Sequence, residues 1–147
     1  MNLQDLQAKV GENIGVSDWY EMGQDRINQF ADATEDHQYI HVDPEKAKDS
    51  PFGQTIAHGF LTMAMLAPFL ERGIPKLDVK MMVNYGFDKV RFLAPVKSGK
   101  RIRGHFKLQA LVEKRPGQWQ ATLEVTVEIE GEEKPALLAE WIIQLFA

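Results

Sequence analysis

The second half of the chain is an almost continuous run of alternating apolar and polar residues, and this pattern limits the possible folds most. In an extended strand, successive side chains point to opposite faces. Residues 80–93, 102–112, 118–130 and 137–145 show this alternation, and turn-forming residues separate them at 94–100, 115–118 and 130–132. The clearest apolar face is that of Trp119, Ala121, Leu123, Val125, Val127 and Ile129. Hairpin-connected strands with one polar face predict an antiparallel sheet whose apolar face is covered by another element.

One segment is apolar enough to cover that face. From Ile56 to about Glu71 apolar residues occur on nearly every side of a helix, which predicts a buried helix. The sequence Glu71-Arg72-Gly73 is expected to end it, and Pro75 prevents its continuation. The sequence therefore predicts an α+β fold in which a curved antiparallel β-sheet wraps around a long central helix. We expect a single domain over residues 1–147, since 147 residues suit one hydrophobic core.

The segments before this helix are shorter. The pattern predicts a helix at residues 3–9, a strand at 13–16, a helix at about 24–33 and a loop from Thr34 to His41. Asp43 followed by Pro44 is typical of an N-cap and the first helical position, so one or two turns should run to about Lys48. We expect the residues from Ile40 to Pro44 to be extended, since a residue before proline avoids the helical region.

Composition and charge exclude several classes of protein. The formal net charge of −4 argues against a nucleic-acid or anionic-membrane surface. The absence of cysteine excludes disulfides, thiolate nucleophiles and thiolate metal sites. No window approaches the roughly 20 apolar residues of a membrane span. The first residues carry Asp5 and Glu12 and no long apolar run, unlike a secretory signal, so we expect a soluble, cytoplasmic protein.

A carboxylate and an imidazole lie close together in the polar segment before the helix. Asp36 is five residues before His41, and the Ala57-His58-Gly59 sequence follows at the start of the apolar helix. An acid, a base and a helix start are thus found within about two dozen residues. Taken singly, Asp36 is more typical of a loop or capping carboxylate, and His41 of a hydrogen-bonded structural histidine. Their joint spacing favours a catalytic pair.

These residues resemble the MaoC-like (R)-specific enoyl-CoA hydratases. The resemblance is carried by Thr34 to Asp43, by Phe52-Gly53 and Ile56, and by Ala57-His58-Gly59, and it continues weakly to Asn84-Tyr85-Gly86 and Val90 to Val96. It implies the hot-dog fold, hydration of a 2-enoyl-CoA to an (R)-3-hydroxyacyl-CoA without a cofactor, and a homodimer. The Gln38-Tyr39 dipeptide is most similar to the nodulation-protein-N subgroup, alongside hydratases of mycobacterial type.

The chain departs from the pattern of the family in two respects. Many members have Asn-Pro where this chain has Gln38-Tyr39, and some have a serine at the place of Ala67. Gln38 keeps a side-chain hydrogen-bond donor, with a reach that differs by one methylene. Ala67 has no hydroxyl. Both differences concern the positioning of substrate more than the class of reaction.

The chemistry of hydration gives the three motif residues distinct roles. His41 is the favoured base because its unperturbed pKa lies near neutrality, and Asp36 then orients the water and returns a proton to C2. The reverse assignment stays open. The backbone N–H of Gly59, at the helix start, is the candidate to hold the charge that develops on the thioester oxygen. A residue without a Cβ can be approached closely, which favours Gly59 for this role.

Further residues are expected to bind substrate. By the resemblance these are Gln38, Phe52, Gly53, His58 and Arg91, with His58 chiefly a hydrogen-bond anchor where the helix begins. Phosphates of coenzyme A could contact the basic residues Lys89, Arg91, Lys97, Lys100, Arg101 and Arg103. Methionines 63, 65, 81 and 82 are interpreted as core residues, with an acyl tunnel as the other possibility. His37 is expected to be exposed, and His105 is expected to lie on the outer face of the sheet.

Other functions fit the sequence less well. His37 and His41 are four residues apart and could share a metal on a helix, but the extended conformation predicted before Pro44 argues against a metal site. A dehydratase of another acyl thioester, or of an acyl carrier protein, is one alternative function. A non-catalytic acyl-thioester binding protein is a second, and a thioesterase is a third.

Overall fold

A six-stranded antiparallel sheet is the largest structural unit of the protein in a computed structural model that describes residues 1–147. The strands are β1 (Asn13–Val16), β2 (Tyr20–Glu21), β3 (Met81–Phe92), β4 (Arg101–Arg115), β5 (Gln118–Ile129) and β6 (Leu137–Phe146). Their order is β1-β4-β5-β6-β3, and β2 also pairs with β4. The helices are α1 (Leu3–Gln7), α2 (Gln24–Thr34), α3 (Tyr39–Val42), α4 (Pro44–Ala47), α5 (Gly59–Ala64) and α6 (Leu66–Gly73). The predicted antiparallel sheet is confirmed.

The alternation in β5 is confirmed residue by residue, while that in β4 is confirmed only in part. The apolar residues of β5 from Ala121 to Ile129 are buried, and those at the start of β4 pair with them. A register shift then occurs between Leu108 and Ala110. Beyond it Leu111 is 5% exposed and Val112 is 48% exposed. The prediction that Val112 belongs to the inner face was wrong, because the bulge inserts a residue and reverses the alternation.

Helices α5 and α6 cover the inner face of the sheet. Phe69 of α6 is fully buried against β4, where a Cβ on Gly104 would lie 2.9 Å from its ring. The absence of a side chain at Gly104 therefore lets the aromatic ring approach the strand closely. Leu61, Leu66 and Leu70 join the same buried cluster of 27 residues, which includes residues from β4, β5 and β6. The predicted packing of the apolar helix on the sheet is confirmed.

The limits of this helix differ from the prediction. It begins at Gly59, because Ile56 is still paired with Lys97 and the amide of Ala57 donates to the carbonyl of Val96. Met65 separates α5 from α6, and its backbone stays in the right-handed helical region. The helix is also not buried on every side. The residues Phe60, Ala64, Ala67 and Glu71 form an exposed stripe at helical spacing.

The segment that contains His41 is helical, so the expected loop and extended chain were wrong there. The amide of His41 donates to the carbonyl of Gln38, and that of Asp43 to Tyr39, both over 3.0 Å. Only Asp43 is extended, with φ −117° and ψ 92°, and it caps α4 by accepting from the amide of Lys46. Asp43 alone therefore adopts the extended conformation that Pro44 requires of the residue before it. The helical turn before Asp43 sets the orientation of the His41 imidazole.

Strand β3 forms one edge of the sheet and is poorly covered on both faces. Residues 81–85 are all exposed, including Met81, Met82, Val83 and Tyr85. A register shift between Asn84 and Gly86 agrees with the kink expected at that glycine. No helix in the structure is both long and apolar enough to cross a membrane.

Candidate active site

Asp36 lies in the turn that joins α2 to α3. Helix α2 ends at Thr34, and its C-cap residue Glu35 adopts the left-handed conformation with φ 64°. The carboxylate of Asp36 then accepts a hydrogen bond from the amide of Gln38 over 3.3 Å. This local turn is typical of aspartate and holds the carboxylate at the start of α3. The side chain of Asp36 is exposed to solvent, so a small molecule can reach it.

His41 is buried, with 7% of its surface exposed, and its ring orientation is fixed by the backbone. Its Nδ1 lies 2.8 Å from the carbonyl oxygen of Ile56. A carbonyl can only accept, so Nδ1 carries the proton in this bond. The neutral ring therefore has its free lone pair on Nε2, which is the form required of a general base.

His58 is the residue that connects the motif in space. It is 2% exposed, and its Nε2 lies 3.0 Å from the backbone carbonyl oxygen of Asp36. Its ring stacks on that of His41, with centroids 3.9 Å apart and planes inclined by 22°. Phe30 packs edge-on against the other side at 4.9 Å. The Nδ1 of His58 is buried and has no hydrogen-bond partner.

Asp36, His41 and His58 form one compact group. A carboxylate oxygen and one ring nitrogen from each histidine lie within 4.8 Å of one another. A metal ion prefers to lie in the plane of each imidazole that binds it, and two nearly parallel stacked rings do not share such a point nearby. His37 does not join the group, because its Nε2 pairs with Asp32 at 2.9 Å on the surface. The arrangement thus suits a water molecule better than a metal.

The surroundings of His41 favour its neutral form. Burial lowers the pKa of His41 below its ordinary value of 6.5, and the neighbouring His58 lowers it further. The hydrogen bond to Ile56 and the charge of Asp36 oppose this effect without reversing it. The ring is therefore able to accept a proton at neutral pH and also below it.

Gly59 is the first residue of α5 and follows His58 directly. A Cβ at this position would lie 3.0 to 3.3 Å from ring carbons of Phe92. Phe92, which is 50% exposed, in turn packs edge-on against Phe60 at 6.2 Å. The sequence suggested that the missing side chain leaves room for substrate. In the structure the ring of Phe92 takes up that space, and the backbone amide of Gly59 remains at the helix start.

The side chains of the other predicted substrate-binding residues form no hydrogen bond to this group. Gln38 precedes α3 and its side chain makes no hydrogen bond. Phe52 and Gly53 form the turn after α4, where Gly53 has φ 72°, and no hydrogen bond or ring contact joins them to Asp36 or His41. Arg91 is exposed and donates to the carbonyl of Val90. Neighbouring residues of a strand point to opposite faces, so Arg91 points away from the face on which Phe92 meets Gly59.

The basic residues considered for coenzyme A fall into two groups. Arg103 forms an ion pair with Glu128 on the neighbouring strand β5. Arg101 forms one with Glu130, just beyond the end of that strand. The four others, Lys89, Arg91, Lys97 and Lys100, form no ion pair. Free cations are better placed to bind a phosphate than cations already paired with a carboxylate. His105 lies on the outer face of the sheet, as predicted, and pairs there with Glu128.

One residue that positions the site was not found from the sequence. The side-chain amide of Gln24, at the start of α2, donates to the backbone carbonyl of His41 over 2.7 Å. Its oxygen accepts a hydrogen bond from the hydroxyl of Thr55 over 2.6 Å. Gln24 thus joins α2, α3 and the chain before α5. A single glutamine 17 residues away from His41 has no periodic signal by which it could be recognised.

Comparison with known proteins gives a consistent result. Residues 5–132 match the family model described as MaoC like domain. The chain is 49% identical over 144 residues to nodulation protein N of Rhizobium leguminosarum bv. viciae, covering 97% of this chain and 89% of that protein. It is 48% identical over 146 residues to 3-hydroxyacyl-thioester dehydratase Z of Mycobacterium tuberculosis, covering 99% and 97%. The predicted resemblance to the nodulation-protein-N subgroup is therefore confirmed.

A solved structure supports the same fold. The (R)-hydratase from A. caviae involved in PHA biosynthesis superimposes with a TM-score of 0.75 and 25% sequence identity, covering 91% of this chain and 94% of that one. The curved antiparallel sheet with its few helices is the hot-dog fold, as predicted.

Proposed function

Because this chain belongs to the MaoC-like domain family of hydratases and dehydratases, we propose that it is an (R)-specific 2-enoyl-CoA hydratase. The reaction adds water across the C2–C3 double bond of an acyl-CoA thioester and gives an (R)-3-hydroxyacyl-CoA. The observation that supports this most directly is the group of Asp36 and His41 side chains. Their polar atoms lie within 4.8 Å of each other, close enough to hold one water between them.

In the first step, Nε2 of His41 acts as the base. Nε2 takes a proton from the water as the oxygen bonds to C3, and the π electrons of the double bond move to the thioester oxygen as an enolate. The proton then passes from His41 by way of the Asp36 carboxylate to C2, which restores the thioester carbonyl and the neutral imidazole. The elements of one water are thereby added, and both residues return to their starting state.

The enolate oxygen needs a hydrogen-bond donor while it carries charge. The amide of Gly59 is at the N-terminal end of α5, where amides have no partner within the helix and the helix dipole favours an anion. Its neighbour His58 contacts both Asp36 and His41. This proximity supports Gly59 as the donor. Loss of such a donor typically costs about 3–4 kcal/mol of transition-state stabilisation.

One mostly apolar pocket is large enough for an acyl chain, although none of Asp36, His41 and Gly59 lines it. A volume of about 580 Å³ lies between α6, the segment after it, and strands β3 and β6. Ala67, Leu70, Met81, Met82 and Ile143 are among the residues that line it. The interpretation of Met81 and Met82 as core residues was wrong, since they are 50% and 42% exposed. Methionine adapts to flexible ligands, which supports the other possibility, an acyl tunnel. Met65 is buried in the core cluster, and the prediction is confirmed for that residue.

A homodimer would cover the apolar surface that the single chain leaves open. Residues 81–85 of the unpaired edge of β3 are exposed, and so is the stripe of Phe60, Ala64 and Ala67 on the helix. Unpaired strand edges readily pair with another chain. We infer that two copies associate through β3, which would also close the side of the cavity next to Met81 and Met82.

The same site can act in the direction of dehydration. A catalyst accelerates both directions of a reaction, and one relative is named a 3-hydroxyacyl-thioester dehydratase. The thioester could also be carried by an acyl carrier protein. In either case the roles of Asp36 and His41 are unchanged, because the reacting atoms are the same.

Purified protein and crotonyl-CoA test this proposal. We expect the absorbance of the conjugated thioester to fall on addition of protein and the (R)-3-hydroxy product to be recovered. Release of free thiol would instead indicate a thioesterase. Binding of crotonyl-CoA without either change would indicate a binding protein. A panel of enoyl-CoA substrates of graded length then measures the chain-length preference.

A further inference from the structure

The histidine that precedes the helix makes contacts that an ordinary capping residue does not make. His58 occupies the N-cap of α5, but its side chain forms no capping bond to the helix amides. Its Nε2 instead donates to the backbone carbonyl of Asp36, 22 residues earlier in the chain. The His58 ring therefore binds the loop that contains Asp36 and does not cap the helix.

The Asp36 loop has few other constraints. The Asp36 carboxylate accepts one weak hydrogen bond, from the amide of Gln38 at 3.3 Å, and residues 32–38 are exposed. The bond from His58 is the contact that ties the backbone of Asp36 to the buried part of the protein. Without it, the carboxylate would be free to move relative to His41.

The same ring also fixes the position of His41. The two imidazoles stack at 3.9 Å, and Phe30 packs against His58 from another side. His41 is thus located by the Ile56 carbonyl at one nitrogen and by the face of His58. One buried side chain touches both the loop of the acid and the ring of the base.

The contacts of His58 account for both of its ring nitrogens. Nε2–H is donated to the Asp36 carbonyl. Nδ1 is buried and has no hydrogen-bond partner. His58 therefore acts through its contacts and not by transfer of a proton.

We propose that His58 is a positioning residue that sets the separation of Asp36 and His41 through its Nε2–H and its ring face. This inference rests on the proposed hydratase function only for its effect on catalysis. The positions and the ionisation of Asp36 and His41 can be measured whether or not the protein hydrates an enoyl-CoA.

Two variants separate the two contacts. His58→Gln keeps an amide donor near the place of Nε2 and loses the ring. His58→Phe keeps a ring that can stack on His41 and loses the donor. Displacement of a catalytic group by about 1 Å can cost on the order of 100-fold in rate, so we expect kcat to fall by about tenfold or more in His58→Phe. A smaller fall is expected in His58→Gln, with KM changed less than kcat in both.

Titration of His41 by nitrogen-15 NMR gives the readout that does not depend on activity. The titratable groups that face the His41 ring are Asp36 and His58. Since His58 lowers the pKa of His41, we expect the titration midpoint of His41 to rise in both variants. Circular dichroism and melting curves establish that each variant is folded, and His58→Gln serves alone if His58→Phe does not fold.

The outcomes are distinct. Folded variants with kcat within twofold of the wild type and an unchanged His41 midpoint would overturn the role of His58. If the wild-type protein shows no hydratase activity, the proposed function fails, while a shifted His41 midpoint in the variants still supports the positioning role. A fall in melting temperature with an unchanged His41 midpoint would assign His58 to stability alone, which also overturns the proposal.

Discussion

The Nδ1–H of His41 donates to the carbonyl oxygen of Ile56 over 2.8 Å, and this bond decides which nitrogen of the ring can accept a proton. Ile56 pairs with Lys97 in an isolated bridge, and its own amide donates to the carbonyl of Ile40. These two interactions fix the position of Ile56, whose carbonyl accepts the bond from His41. The imidazole is fixed as one tautomer before any substrate arrives, which would reduce the reorganisation required for the proposed catalysis.

Replacement of either member of the proposed pair should abolish hydration. Asp36→Asn keeps an oxygen that can accept from Gln38 but cannot carry the proton, and His41→Gln removes the base. General acid–base groups contribute roughly 100- to 10,000-fold, so we expect losses of at least about 100-fold in kcat with crotonyl-CoA. His37→Gln, which changes an exposed histidine outside the group, should keep full activity. Near-full activity in Asp36→Asn or His41→Gln would refute the pair.

The activity should persist below neutral pH. Burial and His58 lower the pKa of His41 below 6.5, so the ring remains a base in mildly acidic solution. We expect the acidic limb of the kcat/KM profile against pH to have its midpoint below 6.5. A midpoint above that value would show that His41 is not the group that must be unprotonated.

The free energy of unfolding should decrease as pH falls below 6.5. A histidine whose pKa is lower in the folded state binds a proton more readily when the chain is unfolded. The contribution of His41 therefore reduces the free energy of unfolding as pH falls from its ordinary pKa of 6.5 towards its lower pKa in the folded protein. Urea unfolding at several pH values should show this decline in the wild type and a smaller one in His41→Gln.

The glycine at the helix start should not tolerate a methyl group. In Gly59→Ala the Cβ would lie 3.0 Å from the ring of Phe92, so the ring or the helix end must shift. We expect destabilisation of about 1–3 kcal/mol, as for other overpacked sites, together with a lower kcat. Phe92→Leu introduced into Gly59→Ala should restore much of the stability. An unaltered melting temperature in Gly59→Ala would contradict the close contact.

The exposed edge of β3 should control association. Tyr85 and Val83 are 67% and 42% exposed, and charges there would repel a second copy. We expect Val83→Asp combined with Tyr85→Asp to convert a dimer into a monomer in sedimentation velocity. Val112→Asp is the matched control, since Val112 is 48% exposed at the end of β4, away from β3. A wild-type protein that sediments as a monomer at all concentrations would contradict the dimer.

Much of the fold could be predicted from local patterns. The alternation in β5, the turn after Arg115, the helix over Gln24–Thr34 and the proline-capped turn at Pro44 all follow from periods or residue preferences that act over a few residues. The bulge in β4 that buries Leu111 was missed, because one inserted residue reverses the alternation without altering composition. The helical turn around His41 was not predicted, because the restriction imposed by Pro44 acts on one residue only, Asp43.

The sequence by itself determined which groups are present, how Asp36 and His41 are spaced, and that a buried helix begins beside them. Only the tertiary structure decided how they are held: Gln24 binds the carbonyl of His41, and His58 binds the carbonyl of Asp36. Phe92 packs on Gly59 from the end of β3 in the same way. These contacts join residues that are distant along the chain, and such pairs leave no periodic signal, because the packing of the whole sheet and helix brings them together.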